Sequence, residues 1–146
     1  MMLNDRAHLA GKLLTLGFAA IYLTLATLTL LKSFLLLLEF LVLSAIPFLL
    51  VTLIRSLFAA KRPYQESKAP PPRYGINDSF PSRHAYSAFF VATVTFRFSA
   101  IASYILLPFA ILLSVLRVVA GYHYPRDVVA GAFFGVIAGI ITLLFL

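Results

Sequence analysis

Two histidines and an aspartate of this 146-residue chain have side chains and spacing suited to phosphoryl-transfer chemistry. His123 and Asp127 stand four residues apart between two long apolar runs, and His84 follows a Pro-Ser pair that is typical of a helix start. An imidazole oriented by a carboxylate can attack phosphorus, and a second imidazole can protonate the leaving oxygen. Guanidinium groups nearby can hold the equatorial oxygens. The chain has only three histidines, so finding two of them beside arginines at the edges of apolar runs favours this chemistry.

Each of these motifs also has a purely structural explanation. Pro125 and Asp127 suit the first turn of a helix, where a carboxylate meets the positive end of the helix dipole. Ser82 suits the N-cap of a helix. Arg117 suits the end of a membrane span, where a long basic side chain reaches toward the lipid head groups. A metal site at His123 and Asp127 is disfavoured, because two ligands are too few and the chain has no cysteine.

The composition is that of an integral membrane protein. Apolar residues make up 62% of the chain and charged residues 12%, whereas globular proteins have about half and about a quarter. The apolar residues occur in runs of about 20, which is long enough to cross a bilayer. The net charge of +7 resides largely in the segments between these runs, which favours anionic lipid head groups over nucleic acid as partners.

The hydropathy pattern predicts a single domain, residues 1–146, folded as an all-α, polytopic membrane bundle of about five helices. Helices are expected because unpaired backbone groups are costly in lipid. A polar segment at 61–83 interrupts the apolar pattern, and we interpret it as an active-site loop, since long segments without periodicity are usually functional or disordered. The spans are predicted at about 9–31, 34–59, 84–98, 100–120 and 128–146.

Counting these crossings places the loop at 61–83 and the connection at 121–127 on the same face of the membrane. The opposite face carries little charge besides Lys32 and Arg97. The residues that should therefore converge on one face are Arg55, Arg62, Ser82, His84, Arg117, His123 and Asp127.

Three glycines of the last span, Gly131, Gly135 and Gly139, recur every fourth residue on one helical face. A face without side chains lets a neighbouring helix approach closely. The neighbour is either another helix of the bundle or a second protomer, so a homo-oligomer formed through this face is one of two open alternatives.

Three short motifs resemble the signature of the type 2 phosphatidic acid phosphatase family, which includes bacterial lipid phosphate phosphatases and vanadium-dependent haloperoxidases. They occur in the order and with the spacing of that family, and together they cover residues 55–127, half of the chain. The motifs are Arg55-x6-Arg62-Pro63, Pro81-Ser82-Arg83-His84 and Arg117-x5-His123-x3-Asp127.

The resemblance implies a role for each of these residues. His123 would be the nucleophile that forms a phosphohistidine, Asp127 would hold its imidazole in the attacking tautomer, and His84 would be the general acid. No metal and no cofactor are expected. The residues implied to bind the phosphoryl oxygens are Arg55, Arg62, Ser82, Arg83 and Arg117.

Three positions depart from the family pattern. Arg55 stands where lysine is usual, so a planar fork replaces a point charge. Arg83 replaces a glycine, which leaves its backbone N–H usable if φ is negative, and Leu116 replaces a common serine. The family core commonly has six spans, whereas this sequence predicts five. We therefore expect one N-terminal helix to be absent and the N-terminus to lie on the active-site face.

The implied function is hydrolysis of a lipid phosphate monoester or pyrophosphate, such as phosphatidylglycerophosphate, phosphatidate, a polyprenyl pyrophosphate or a lipid A phosphate. A lipid phosphotransferase would have the same sequence features. A non-enzymatic protein that binds anionic lipids would explain the basic loops but not the histidines. The expected partners are the lipid phosphate substrate and membrane lipids. The expected location is the bacterial inner membrane, and the positive-inside rule favours a cytoplasmic active site.

Overall fold

The structure of the chain, a computed structural model, describes residues 2–63 and 79–146, with side chains from residue 6 onward. The described residues form five α-helices. The predicted all-α bundle is therefore confirmed, whereas residues 64–78 of the predicted loop at 61–83 lie outside the described part. In chain order the helices are α1 (Met2–Lys32), α2 (Phe34–Phe58), α3 (Arg83–Thr95), α4 (Ala100–Val119) and α5 (Pro125–Phe145).

Four of the described helices, α1 from Arg6 onward, α2, α4 and α5, are long and apolar enough to cross a bilayer. Large apolar side chains cover their outer surface: Leu31, Leu144 and Ile101 are 78%, 77% and 74% exposed. Soluble monomers rarely expose a continuous apolar surface of this extent. The chain is therefore an integral membrane protein, with these side chains facing lipid.

The third predicted span is the shortest helix and the most enclosed. α3 has 13 residues and a length of about 20 Å, against about 30 Å for a hydrocarbon core. Eight of its residues are buried against the other helices. It ends at Thr95 rather than at the predicted Phe98, because the amides of residues 96–98 bond to carbonyls only three residues back. The short helix is thus sheltered from lipid by its neighbours.

Serine caps fix the starts of three helices. Ser33, Ser82 and Ser99 each accept a hydrogen bond from a backbone N–H in the first turn of α2, α3 and α4. Such a cap stabilises a helix by about 1 kcal/mol, because it satisfies a donor that has no partner within the helix. Ser33 is also the single residue between α1 and α2, so these two helices form an antiparallel hairpin. α5 needs no serine, since it begins with Pro125, three residues before the predicted start.

The three glycines of α5 face α3. A Cβ atom at Gly131 or Gly135 would collide with the backbone carbonyl of Ser82 or Tyr86, and one at Gly139 would crowd a threonine of α3. The face is filled within the chain, so it is not available to a second protomer. Of the two alternatives for this face, the homo-oligomer is therefore wrong and packing within the chain is right. The glycines allow α3 and α5 to pack backbone against backbone.

Charged side chains lie mainly at the two ends of the bundle. At one end, Lys32 lies 5.1 Å from the centroid of the Phe98 ring and shares a small cavity with Arg97. At the other end, the hydroxyl of Tyr122 and the Nδ1 atom of His8 form a 2.7 Å hydrogen bond. This bond joins the start of α1 to the connection after α4. As predicted, the N-terminal end of the first helix lies beside the segment that carries His123.

Candidate active site

The sequence motifs meet where α2 ends and where α3 and α5 begin. The Nη1 atom of Arg55 donates a hydrogen bond to the carbonyl of Pro81 at 2.7 Å. The backbone N–H of Ser82 donates to the carbonyl of Asp127 at 2.9 Å. The first bond ties the last turn of α2 to the segment before α3, and the second ties that segment to the first turn of α5.

His123 lies in the short connection between α4 and α5, and it is 3% exposed. Its Nδ1 atom is 3.7 Å from Oδ2 of Asp127. The hydroxyl of Ser79 donates a short hydrogen bond to that Oδ2, and its oxygen lies 3.4 Å from Nδ1 of His123. This arrangement suits the tautomer in which Nδ1–H points to the Ser79 oxygen. The lone pair of Nε2 is then available for attack.

Asp127 is fully buried and serves the helix start as well as the histidine. Its Oδ2 atom also accepts a hydrogen bond from the backbone N–H of Tyr124 at 3.0 Å, at the N-cap of α5. Its Oδ1 atom lies 3.7 Å from Nε of Arg126. The structural and the chemical explanation of this aspartate are therefore compatible, because one carboxylate caps α5 and supports the imidazole.

Ser79 is a site residue that the sequence pattern did not identify. It is fully buried, and its backbone N–H donates to the carbonyl of Ala60 at 2.9 Å, which fixes it beside the end of α2. Its position directly before Phe80-Pro81 is the sequence feature that could have identified it as a site residue. Serine is common in polar loops for unrelated reasons, and it contacts a histidine 44 positions later in the chain. Only the tertiary structure brings the two together.

The surroundings of His123 favour the neutral form of its imidazole. Burial lowers its pKa below the ordinary value of 6.5, and the positive charges of Arg62 and Arg55 lower this pKa further. The carboxylate of Asp127, 3.7 Å away, acts in the opposite direction. Because the net shift is downward, the side chain is neutral near pH 7, which is the nucleophilic form.

An open cavity of about 380 Å³ lies at this end of the bundle. Three predicted site residues, Arg62, His84 and Arg117, line it together. His123 is not among the lining residues. Among the described residues, the remaining wall comes from α1 and from the connection after α4, with His8, Lys12, Thr15, Leu16 and Tyr122.

Arg117 is held in place from two sides. It is 8% exposed, and its Nη2 atom donates to the hydroxyl of Thr15 in α1 at 3.1 Å. Its guanidinium carbon lies 5.7 Å from the centroid of the Tyr122 ring, within the range of a cation–π contact. These contacts orient the guanidinium before any substrate binds. The sequence pattern had not assigned Thr15 or Tyr122 to the site.

Two of the predicted phosphate-binding residues also organise the backbone. Arg55 is 3% exposed and bonds to the Pro81 carbonyl, and the hydroxyl of Ser82 accepts from the backbone N–H of Ala85 at 3.5 Å. Neither lines the cavity of about 380 Å³. A buried carbonyl needs a donor, and a helix start needs a cap, so both residues hold the first turn of α3 in position. Their contact with phosphate stays a prediction.

The replacement of glycine by Arg83 causes no backbone strain. Among the described non-glycine residues, positive φ occurs at Ala59 alone, so Arg83 keeps a negative φ. The condition under which its backbone N–H remains usable is met. Its exposed side chain borders a second cavity, of about 360 Å³, that also contacts His84.

Apolar cavities continue from the site into the bundle. The cavity of about 360 Å³ is lined by His84 and Arg83 and by mostly apolar residues of α1, α2, α3 and α4. Another cavity, of about 350 Å³, reaches Leu41 of α2. The two cavities adjoin between α1, α2 and α3, since they share the lining residues Tyr22, Phe48, Ser87 and Val91, and together we call them the apolar route.

Three comparisons place the chain among known proteins. A family model described as the PAP2 superfamily matches residues 12–146. The crystal structure of the first transmembrane PAP2 type phosphatidylglycerolphosphate phosphatase from Bacillus subtilis has a TM-score of 0.75 and 22% sequence identity, covering 99% of this chain and 76% of that chain. At this identity the likeness shows a shared fold.

A curated relative, the bacitracin transport permease protein BcrC of Bacillus licheniformis, is 35% identical over 65 residues. That stretch is 44% of this chain and 32% of the relative, so the match spans about a third of the relative's length. The family model covers nearly the whole chain, including the three motifs at residues 55–127. The chain therefore belongs to the PAP2 superfamily.

Proposed function

We propose that the chain is a lipid phosphate phosphatase that works through a phosphohistidine on His123. The observation that carries this proposal is the buried imidazole of His123, whose Nδ1 edge faces Ser79 and Asp127. A histidine fixed in this way has one free nitrogen, and the arginine charges that lower its pKa are also suited to attract a phosphate.

In the first step, Nε2 of His123 attacks phosphorus while the bond to the leaving oxygen breaks. His84 transfers its proton to that oxygen, because it lines the cavity in which the leaving group would lie. An anionic substrate beside His84 stabilises the protonated imidazole that this step requires. Arg62 and Arg117 line the same cavity and would hold the equatorial oxygens, whose charge increases in the transition state.

In the second step, water attacks the phosphorus of the phosphohistidine. His84, which is now neutral, takes a proton from this water. The nitrogen–phosphorus bond breaks, inorganic phosphate leaves, and both histidines return to their starting states. Arg55, Ser82 and Arg83 contribute by holding the first turn of α3 and by presenting cations or N–H groups near the phosphate. Helix N-termini are well suited to this, since their N–H groups have no partner within the helix.

The apolar route between α1, α2 and α3 supports a lipid rather than a soluble substrate. It begins at His84 and continues into the membrane-embedded part of the bundle, so an acyl or prenyl tail can lie there while the head group remains at the cavity. Candidate substrates are phosphatidylglycerophosphate, phosphatidate, a polyprenyl pyrophosphate and a lipid A phosphate. The structural relative from Bacillus subtilis, a phosphatidylglycerolphosphate phosphatase, is consistent with this class.

The proposal is tested by substituting His123 with Ala in the full-length protein in detergent. We expect phosphate release from a lipid phosphate to fall by about 10⁴-fold or more, as for other nucleophiles of covalent catalysis. Wild-type protein incubated with ³²P-labelled substrate should carry acid-labile label on His123, and the variant should carry none. Unchanged thermal stability of the variant is the control, and full activity of a folded variant would overturn the mechanism.

We also propose that the reaction needs no metal. The histidine nucleophile and the arginines supply the groups that metal ions supply elsewhere. Activity should persist in a chelator and be blocked by vanadate, which mimics the pentacoordinate phosphorus. Loss of activity in the chelator, with recovery on addition of a divalent ion, would contradict this.

A lipid phosphotransferase is the second candidate, because a phosphohistidine can pass its phosphate to another lipid instead of water. Product analysis separates the two: inorganic phosphate indicates hydrolysis, and a newly phosphorylated lipid indicates transfer. A non-enzymatic lipid-binding protein would give neither product.

For the location, we propose the bacterial inner membrane with the active site on the cytoplasmic face. Basic residues outside the motifs are more numerous at the active-site end, and the positive-inside rule then applies. The chain has no cysteine, so single substitutions give a clean test. Arg126→Cys, at a side chain 72% exposed, should be protected in intact cells from a membrane-impermeant maleimide, whereas Lys32→Cys should react. The reverse pattern would place the active site outside.

A further inference from the structure

The N-terminal part of α1 forms one wall of the active-site cavity. His8 and Lys12 stand four residues apart, so their side chains lie on the same face of the helix. Both line the cavity of about 380 Å³, together with Thr15 in the following turn. None of these three residues belongs to the motifs at residues 55–127. Thr15 orients Arg117, whereas His8 and Lys12 take no part in the proposed transfer of the phosphoryl group.

Direct contacts attach this wall to the catalytic segment. The Nδ1 atom of His8 and the hydroxyl of Tyr122 are 2.7 Å apart, and the centroids of the two rings are 5.5 Å apart. Tyr122 precedes the proposed nucleophile His123 in the chain. Thr15 accepts from Arg117 on the other side of the cavity. The position of α1 is therefore coupled to the residues that would carry out the chemistry, which a helix that only spans the membrane does not require.

The charge of the cavity exceeds what one phosphoryl group needs. Lys12, Arg62 and Arg117 line it with the two imidazoles of His8 and His84, and no acidic side chain is among its described lining residues. Arg62 and Arg117 already suffice as partners for the phosphoryl group that is transferred. The additional cation and the additional imidazole come from α1, so they are suited to a second anionic group.

The position of His84 indicates where that second group belongs. If His84 protonates the leaving oxygen, then the cavity that His84 lines receives the leaving group. Arg62 and Arg117 of the same wall hold the transferred phosphoryl group, so the groups that remain for the leaving group are those of α1. An uncharged alcohol, such as diacylglycerol, would offer Lys12 no anionic partner.

We propose that His8 and Lys12 form a subsite for a phosphate that remains on the leaving group. This inference rests on the proposed phosphatase function and narrows its substrate class. The substrate is a lipid with two phosphates, either a diphosphate whose product is a lipid monophosphate, or a terminal monoester on a head group that also contains a phosphodiester. Phosphatidate, with one phosphate, is not the preferred substrate.

The test compares kcat/KM for a prenyl diphosphate, phosphatidylglycerophosphate and phosphatidate in detergent. Wild-type protein should prefer one of the first two over phosphatidate. Lys12→Gln should reduce this preference by about tenfold, the effect of losing one charge-assisted hydrogen bond. Lys12→Arg should restore most of it. Lys32→Gln, at the opposite end of the bundle, is the matched control and should leave all three values unchanged.

Product inhibition gives a second measurement on the same variants. A prenyl monophosphate, or phosphatidylglycerol for the other substrate class, should inhibit the wild type more strongly than Lys12→Gln. Lys12 is exposed on α1, so its replacement should leave the thermal midpoint within experimental error. His8→Gln should weaken inhibition in the same direction.

The outcomes separate this inference from the proposed function. If wild-type protein hydrolyses none of the three lipids, the phosphatase function itself is overturned. If it hydrolyses them but prefers phosphatidate, or if Lys12→Gln leaves the preference unchanged, the subsite is overturned and the phosphatase remains. A preference for the diphosphate or for phosphatidylglycerophosphate supports the subsite and identifies which of the two lipid classes occupies it.

Discussion

Oδ2 of Asp127 lies 3.7 Å from Nδ1 of His123, which is too long for a normal hydrogen bond. The hydroxyl of Ser79 contacts both atoms, as a donor to the aspartate and as the oxygen nearest to the imidazole nitrogen. The proposed nucleophile thus belongs to a group of three residues, in which Ser79 lies between the imidazole of His123 and the carboxylate of Asp127. The serine oxygen takes the position that a carboxylate oxygen has in a directly bonded pair.

Replacing Ser79 by Ala should slow the chemical step. Partners that orient a histidine ligand in metal sites contribute about 10- to 100-fold, and we expect a loss of similar size in kcat with a smaller change in KM. The measurement is the rate of phosphohistidine formation in a single turnover. Ser56→Ala, on the exposed side of α2, is the matched control. Equal rates for wild type and Ser79→Ala would remove the serine from the catalytic support.

The acid limb of the pH–rate profile should report the protonation of His123. Its pKa lies below 6.5 because burial and nearby arginines disfavour the imidazolium. The neutral fraction is lost only when the pH falls through this lowered pKa, so nucleophilic activity should persist below pH 6.5. An NMR titration, with the resonance assigned by its absence in His123→Gln, measures the midpoint directly.

Replacing Arg62 by Gln tests the cause of that shift. Removing a positive charge near the imidazole favours its protonation, so the midpoint for His123 should move upward. A midpoint at or above 6.5 in the wild type, or a downward movement in the variant, would contradict the electrostatic account.

Gly135→Ala should destabilise the contact between α3 and α5. The new Cβ would collide with the backbone carbonyl of Tyr86, and backbone cannot move aside as a flexible side chain can. Overpacking of this kind costs about 1–3 kcal/mol. Gly17→Ala in α1 is the control, because nothing lies within 4 Å of its added Cβ, and alanine there should stabilise the helix by about 0.5–1 kcal/mol. Thermal unfolding in detergent measures both, and equal midpoints would contradict the close approach.

The two roles of Arg55 can be separated by charge and shape. Arg55→Met removes both the charge and the donor to the Pro81 carbonyl. A buried carbonyl left without a donor costs about 1–3 kcal/mol, so this variant should unfold at a lower temperature and bind vanadate weakly. Arg55→Lys keeps the charge and should bind vanadate within about tenfold of wild type, the change expected for about 1.4 kcal/mol. If Arg55→Met binds vanadate like wild type, the side chain serves the backbone alone.

Local sequence features were enough to predict the helices. A run of apolar residues in lipid has one low-energy backbone, because every peptide group must find its partner within the segment. The serines at positions 33, 82 and 99 mark helix starts for an equally local reason, since they satisfy first-turn donors. The shortness of α3 was visible in the same way, although its end at Thr95 depends on turn bonds that composition does not reveal.

The three motifs also predicted which residues converge, because counting crossings is a topological argument that needs no detailed packing. Arg62, His84 and Arg117 do line one cavity. The number of membrane crossings could not predict which hydrogen-bond partner each side chain has. Arg55 and Ser82 point partly to backbone groups, since the start of α3 has donors and acceptors of its own to satisfy.

The sequence by itself determined an all-α membrane protein of the PAP2 type with histidines and arginines at one face. Tertiary structure decided that Ser79 stands between Asp127 and His123 and that the glycines of α5 meet α3 rather than another protomer. It also decided that α1 forms a wall of the cavity and contacts the site through His8 and Thr15. The residues joined by these hydrogen bonds are 44 to 114 positions apart in the chain. Contacts at such separations depend on how whole helices pack against each other, and no local pattern of residue types contains that information.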